Sequence, residues 1–139
     1  MGVVSKVTYR GNLRTECVHL QSGDTILTDA PVDNCGKGEA FSPTDLVATA
    51  LASCAMTIIG ILDSRLNLGL EGTEIEVTKK MNAAPRRIGE IDVVFKFPQK
   101  EYSQADKLRI QRAVDTCPVH LSLHPDVHQC FTFIWPNEK

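Results

Sequence analysis

The chain has 139 residues, 42% of them hydrophobic and 23% charged, with a formal net charge of −2 at neutral pH. That is the size of one domain, 1–139, with one core, and a chain with no excess of positive charge offers no basic surface to nucleic acid. Five cysteines, an odd number, and no apolar leader between Met1 and Lys6 predict a cytosolic chain with reduced thiols in place of a disulfide scaffold.

Alternation opens the chain. Val3, Ser5, Val7 and Tyr9 share one face of a strand, and Val4, Lys6 and Thr8 the other, before a turn at Gly11-Asn12. A second strand is expected over Leu13 to Leu20, a turn at Ser22-Gly23-Asp24, and a short third strand over Thr25 to Thr28. Residues 29–41, with Pro31, Asn34, Gly36 and Gly38, have turn composition and predict a loop.

Ser42-Pro43-Thr44-Asp45 combines an N-cap, a first-position proline and an acidic residue in the first turn. The helix it starts is expected to run to about Leu66. Alanines 48, 50, 52 and 55 let another backbone approach closely, and the helix is apolar on more than one face, as suits a central helix or a subunit interface. Its most apolar stretch, Leu46 to Leu62, is interrupted by Thr49, Ser53 and Thr57 and falls short of the ~20 residues needed to span a bilayer, so no membrane partner is expected.

Two strands follow, Glu71 to Lys80 and Arg87 to Phe97, joined by the turn Asn82-Ala83-Ala84-Pro85. Thr73, Ile75 and Val77 share a face of the first; Ile91, Val93, Phe95 and Phe97 share a face of the second. Ser103 caps a helix over Gln104 to Val114. A break at Asp115-Thr116 restarts a short helix through Cys117 to Leu123, Pro125 stops it, and His128 to Trp135 forms the last strand. The order βββ-α-ββ-αα-β clusters strands and helices, which predicts an α+β fold with a mainly antiparallel sheet covered by the long helix.

Two thiols stand out. Cys117 falls in the first turn of a helix, where unpaired N–H groups favour a thiolate. Cys54 lies mid-helix among Ala52, Ala55 and Ile58, where burial opposes ionisation unless a cation is near. Arg14, Arg10 and Lys37 are the candidate cations. A competing constellation is Cys117, His120, His124, His128 and Cys130; His120 and His124 at i, i+4 share a helix face and, with Cys117, offer a metal-binding alternative. Cys17 and Cys130 fall in strands and are expected in the core, and Cys35 in the loop.

The run from Phe41 through Ser42-Pro43-Thr44-Asp45-Leu46 to Ala52-Ser53-Cys54 resembles the first motif of the OsmC/Ohr family, the osmotically inducible and organic hydroperoxide resistance proteins. Asp115-Thr116-Cys117-Pro118-Val119 is similar to that family's second motif, and the element order agrees across nearly the whole chain. The resemblance implies an OsmC-like fold assembled as an intertwined homodimer, with two long central helices between sheets. It implies a peroxidase in which Cys54 attacks the peroxide O–O bond and becomes a sulfenic acid. Cys117 then condenses with it to a disulfide, an external dithiol reduces the bridge, and no metal or organic cofactor is needed.

By the same resemblance an arginine covers the Cys54 sulfur, with Arg14 the best positional match and Arg10 second. The hydroperoxide branch carries a glutamate directly after the motif proline to orient that arginine, and here the position is Thr44, which cannot pair as an ion. Glu39 and Asp45 are the nearest carboxylates along the chain that could compensate. The departure points to a less characterised OsmC-like branch. The expected activity is reduction of hydrophobic organic hydroperoxides in an apolar pocket around Cys54; the alternative is a non-enzymatic dimer holding a small apolar ligand there.

Overall fold

The fold is that of a computed structural model, which describes residues 2–136. The chain gathers into two compact units, residues 1–47 and 48–139. The elements follow the expected order and make an α+β chain with two separate three-stranded sheets.

In the first unit, β1 (Ser5–Gly11), β2 (Arg14–His19) and β3 (Thr25–Asp29) form an antiparallel sheet in that order. The β1–β2 turn runs through Gly11, Asn12 and Leu13, all at positive φ (84°, 54° and 63°), a conformation open to glycine and tolerated by asparagine. Both faces of β1 are exposed, Val7 and Tyr9 included. The loop expected over 29–41 starts one residue later, since Asp29 ends β3; it contains one 3-10 turn, Val32–Asn34, and is tied down by Gly36 N–H to Pro31 O (2.9 Å) and Asp29 N–H to Phe41 O (3.1 Å). Gly36 is obligatory here: a Cβ would lie 1.7 Å from the Ala30 carbonyl oxygen.

Helix α1 (Pro43–Leu66) begins as expected. Asp45 N–H donates to Ser42 Oγ, and Ser42 N–H donates back to Asp45 Oδ2, both at 3.0 Å, a reciprocal cap. The helix is long and apolar enough, by length and composition, to cross a membrane. In the second unit it instead buries Leu51, Ala52, Ala55 and Ile59 in the core.

The second unit adds β4 (Glu74–Ala83), β5 (Arg86–Lys96), α2 (Gln104–Val114), α3 (Pro118–Ser122) and β6 (His128–Ile134). Strands β4 and β5 pair antiparallel, and β6 adds to β5 in parallel after the α2–α3 crossover. Ser103 caps α2 by accepting the Asp106 N–H at 3.1 Å. One face of the sheet supplies Ile91, Val93 and Phe95, all fully buried, which pack with Ile110, Val114 and Cys117 into one cluster. Phe95 stacks on Phe133 (centroids 5.0 Å, planes 4° apart) and Phe97 on Trp135 (4.5 Å, 9°). The opposite face of the same sheet is polar.

Candidate thiol active site

Cys54 and Cys117 meet inside the second unit. Cys54 projects from α1, half-buried against the core, while Cys117 is fully buried at the position that caps α3. The two thiols lie close enough to interact. Burial first, and the interaction with Cys54 second, push the Cys117 thiol above its ordinary value.

Helix position alone predicted the reverse for Cys117, and that expectation is corrected. The amides expected to favour a thiolate are present, since the Val119 and His120 N–H groups both act on the sulfur and pull its pKa down. They are outweighed because α3 has only five residues and the sulfur is shut away from water. Burial thus makes the Cys117 thiol hard to ionise.

The candidate cations lie in the first unit. Arg14 on β2 donates Nε–H to Asp29 Oδ1 (2.7 Å) and Nη2–H to Asp29 Oδ2 (2.8 Å), a bidentate fork that fixes the guanidinium plane. Asp29 also accepts the Glu39 N–H at 3.0 Å, and the Glu39 carboxylate stands 3.9 Å from Arg14 Nη2. The hydrogen bond from Arg14, above all, holds the Asp29 carboxyl below the usual range despite its burial, and the same bond raises Arg14. Arg10 is spent on an exposed pair with Glu16 (2.5 Å), and Lys37 is exposed.

Asp29 was not among the carboxylates that sequence reasoning offered. Of the two that were, Asp45 is engaged in the helix cap and Glu39 flanks the guanidinium at a distance. Thr44 reaches Ser42 Oγ at 3.2 Å. The signal that could have found Asp29 is strand register, because Arg14 and Asp29 are direct partners across β2 and β3.

The metal alternative at Cys117, His120 and His124 does not assemble. Helix α3 ends at Ser122, so His124 is not on its face. His120 Nδ1 is engaged with Gln129 Oε1 (2.6 Å), and His124 Nδ1 accepts the Asp126 N–H (3.0 Å). Cys130 is also not the core residue expected: it lies on the polar face of the sheet, where burial first and then a hydrogen bond to Asp92 raise its thiol.

A mixed groove of about 490 Å³ runs along a face of α1 next to that of Cys54. Ser53, Met56, Thr57 and Gly60 line it on the helix and Leu70 and Ile75 across from it.

A long helix crossing one sheet, with a helix-borne thiol facing a buried one, is an arrangement that comparison with known proteins places. The model of the OsmC family, described as OsmC-like protein, matches residues 36–129. The chain belongs to the OsmC-like family. Its structure is similar to that of a Psychrobacter arcticus 273-4 protein assigned to the osmotic stress induced and detoxification response, at 50% identity over 96% of this chain and 97% of that one, with a TM-score of 0.93. It shares its fold with the organic hydroperoxide resistance protein OsmC of Legionella pneumophila (16% identity, 97% and 98% covered, TM-score 0.75). The fold also matches the organic hydroperoxide resistance protein OhrB of Bacillus subtilis (17%, 95% and 98%, 0.63). No curated protein sequence matches the chain.

Proposed function

We propose that this protein is a thiol-dependent peroxidase that reduces organic hydroperoxides through Cys54 and Cys117. The observation that carries the proposal is the meeting of two thiols from separate motifs, a half-buried Cys54 on α1 and a fully buried Cys117 at the start of α3. Their unequal burial supports unequal roles, with Cys54 as the attacking sulfur and Cys117 as the one that waits. Membership of a family whose relatives include proteins named for organic hydroperoxide resistance supports the same reading.

In the first step the Cys54 thiolate attacks the distal peroxide oxygen, the O–O bond breaks, and the alkoxide leaves as an alcohol after taking a proton. Cys54 is then a sulfenic acid. In the second step Cys117 attacks that sulfur, forming the disulfide and releasing water. An external dithiol returns both thiols by exchange. Arg14, held in plane by Asp29, is the cation proposed to favour the Cys54 thiolate. Thr44 in place of a glutamate, the ground for a non-enzymatic ligand-binding dimer, loses weight because Arg14 takes its carboxylate from β3.

The proposed assembly is a homodimer working in the cytosol. Exposed apolar side chains support the dimer: Val7, Tyr9, Ile26 and Leu27 in the first unit, and Ile61 on α1 in the second. Treatment of the reduced protein with cumene hydroperoxide, followed by disulfide mapping by mass spectrometry, tests the chemistry. Peroxide consumption with a Cys54–Cys117 bridge is expected; absence of both would sink the proposal.

A further inference from the structure

We propose that Glu90, His128 and Cys130 form a binding site for a borderline transition metal ion, zinc(II) above all, on the polar face of the β4–β5–β6 sheet. Their ligand atoms, a carboxylate oxygen, an imidazole nitrogen and a sulfur, all lie within 4.8 Å of one another. Strand geometry brings them together. His128 and Cys130 are two apart on β6 and so share a face, and the parallel register sets Glu90 opposite His128 and Asp92 opposite Cys130. The histidines and cysteines of the C-terminal segment thus divide: His120 goes to Gln129, and the metal-ligating pair is the one on β6.

The donor set selects the ion. Thiolate with imidazole and carboxylate suits zinc, cobalt or nickel and disfavours magnesium and calcium, which want oxygen alone. With metal–ligand bonds of about 2.0–2.3 Å, tetrahedral ligand atoms stand roughly 3.3–3.8 Å apart, so side-chain rotation has about an ångström to close. His128 is exposed and free to turn, with Nε2 at 3.8 Å from Glu90 Oε1.

The Lys80 ammonium, 2.5 Å from Glu90 and 3.5 Å from Asp92, now neutralises the carboxylates and is the group an incoming cation displaces. Lys80 is exposed and can swing into water. On binding, the Cys130 sulfur exchanges its proton for the metal and the proton goes to solvent. This site shares no residue with the thiol pair.

Cobalt(II) added to the reduced full-length protein tests the proposal by absorption. A thiolate-to-cobalt charge-transfer band saturating at one equivalent is expected, retained in Cys54→Ser and lost in Cys130→Ser. Weakening of at least about tenfold is expected in His128→Ala and Glu90→Gln, with circular dichroism unchanged. Lys80→Ala should tighten cobalt binding several-fold. A band missing from the wild type, surviving in Cys130→Ser, or vanishing in Cys54→Ser would overturn the assignment, and an unchanged affinity in Lys80→Ala would remove the displaced ammonium from it.

Discussion

Arg14 and Asp29 stand opposite each other across β2 and β3 and close a two-pronged ion pair, Nε to Oδ1 at 2.7 Å and Nη2 to Oδ2 at 2.8 Å. A guanidinium held at two points keeps its plane as well as its place, which a lysine could not do. The carboxylate that does the holding is itself buried and further fixed by the Glu39 amide. Orientation of the candidate activating cation is therefore built into a β-ladder, outside the motif that opens α1.

Asp29→Asn keeps the shape of the side chain and removes its charge. Peroxidase kcat/KM toward cumene hydroperoxide is expected to fall roughly tenfold or more, the scale at which misplacing a catalytic group is felt. The rate of Cys54 alkylation at fixed pH should fall in the same variant, with circular dichroism unchanged, a readout that simple loss of stability would not give. Because the Asp29 carboxyl is held low in the folded state, its contribution to stability is complete above the ordinary carboxylate range and drains as pH falls through the depressed folded value. The difference in urea midpoint between wild type and Asp29→Asn should accordingly narrow in acid.

Removing the waiting thiol should strand the reaction halfway. In Cys117→Ala, one equivalent of peroxide is expected to leave a Cys54 sulfenic acid that dimedone traps in far higher yield than in wild type. The folded chain raises the Cys117 thiol, so that group's contribution to stability is full below the ordinary thiol value and is lost as pH rises through the raised folded one. Part of the alkaline loss of stability in urea titrations should vanish in the same variant.

Ser42→Ala removes the side chain that accepts the Asp45 N–H and so opens the reciprocal cap. A loss of about 1 kcal/mol is expected by urea denaturation. Ser42→Asp should recover most of it, whereas equal losses in both variants would place the effect elsewhere.

Phe95→Ala empties the centre of the aromatic stack under β5 and β6. The expected cost is about 3–5 kcal/mol. Phe95→Leu, which keeps most of the volume, should lose markedly less and serves as the measurable variant if the alanine form does not accumulate.

Much of this arrangement was legible because single residues announced it. Ser42 and Ser103 cap the helices they were expected to cap, and the apolar period of Ile91, Val93 and Phe95 marks the buried face of β5. Strand β4 starts later than its composition suggested, at Glu74, since Gly69 and Gly72 both take positive φ and Thr73 N–H still closes a turn onto Leu70. The parallel pairing of β5 and β6 left no local mark, because it depends on how the α2–α3 crossover returns. Asp29 was hidden for a related reason: its partner is set by the length of the β2–β3 turn, and its own neighbours read as loop. The helix-end argument for Cys117 failed on magnitudes, as two amide donors in a five-residue helix could not offset complete burial.

Cys54 and Cys117 are distant along the chain, and the proposed bridge between them would encircle β4, β5 and α2. Tying off a loop of that length withdraws about 4 kcal/mol of freedom from the unfolded chain on a chain-entropy account. On the proposed mechanism each round would pass through a stapled form that is harder to unfold than the resting one. That form would accumulate when peroxide outran the reductant, leaving the molecule toughest under the conditions most apt to damage it.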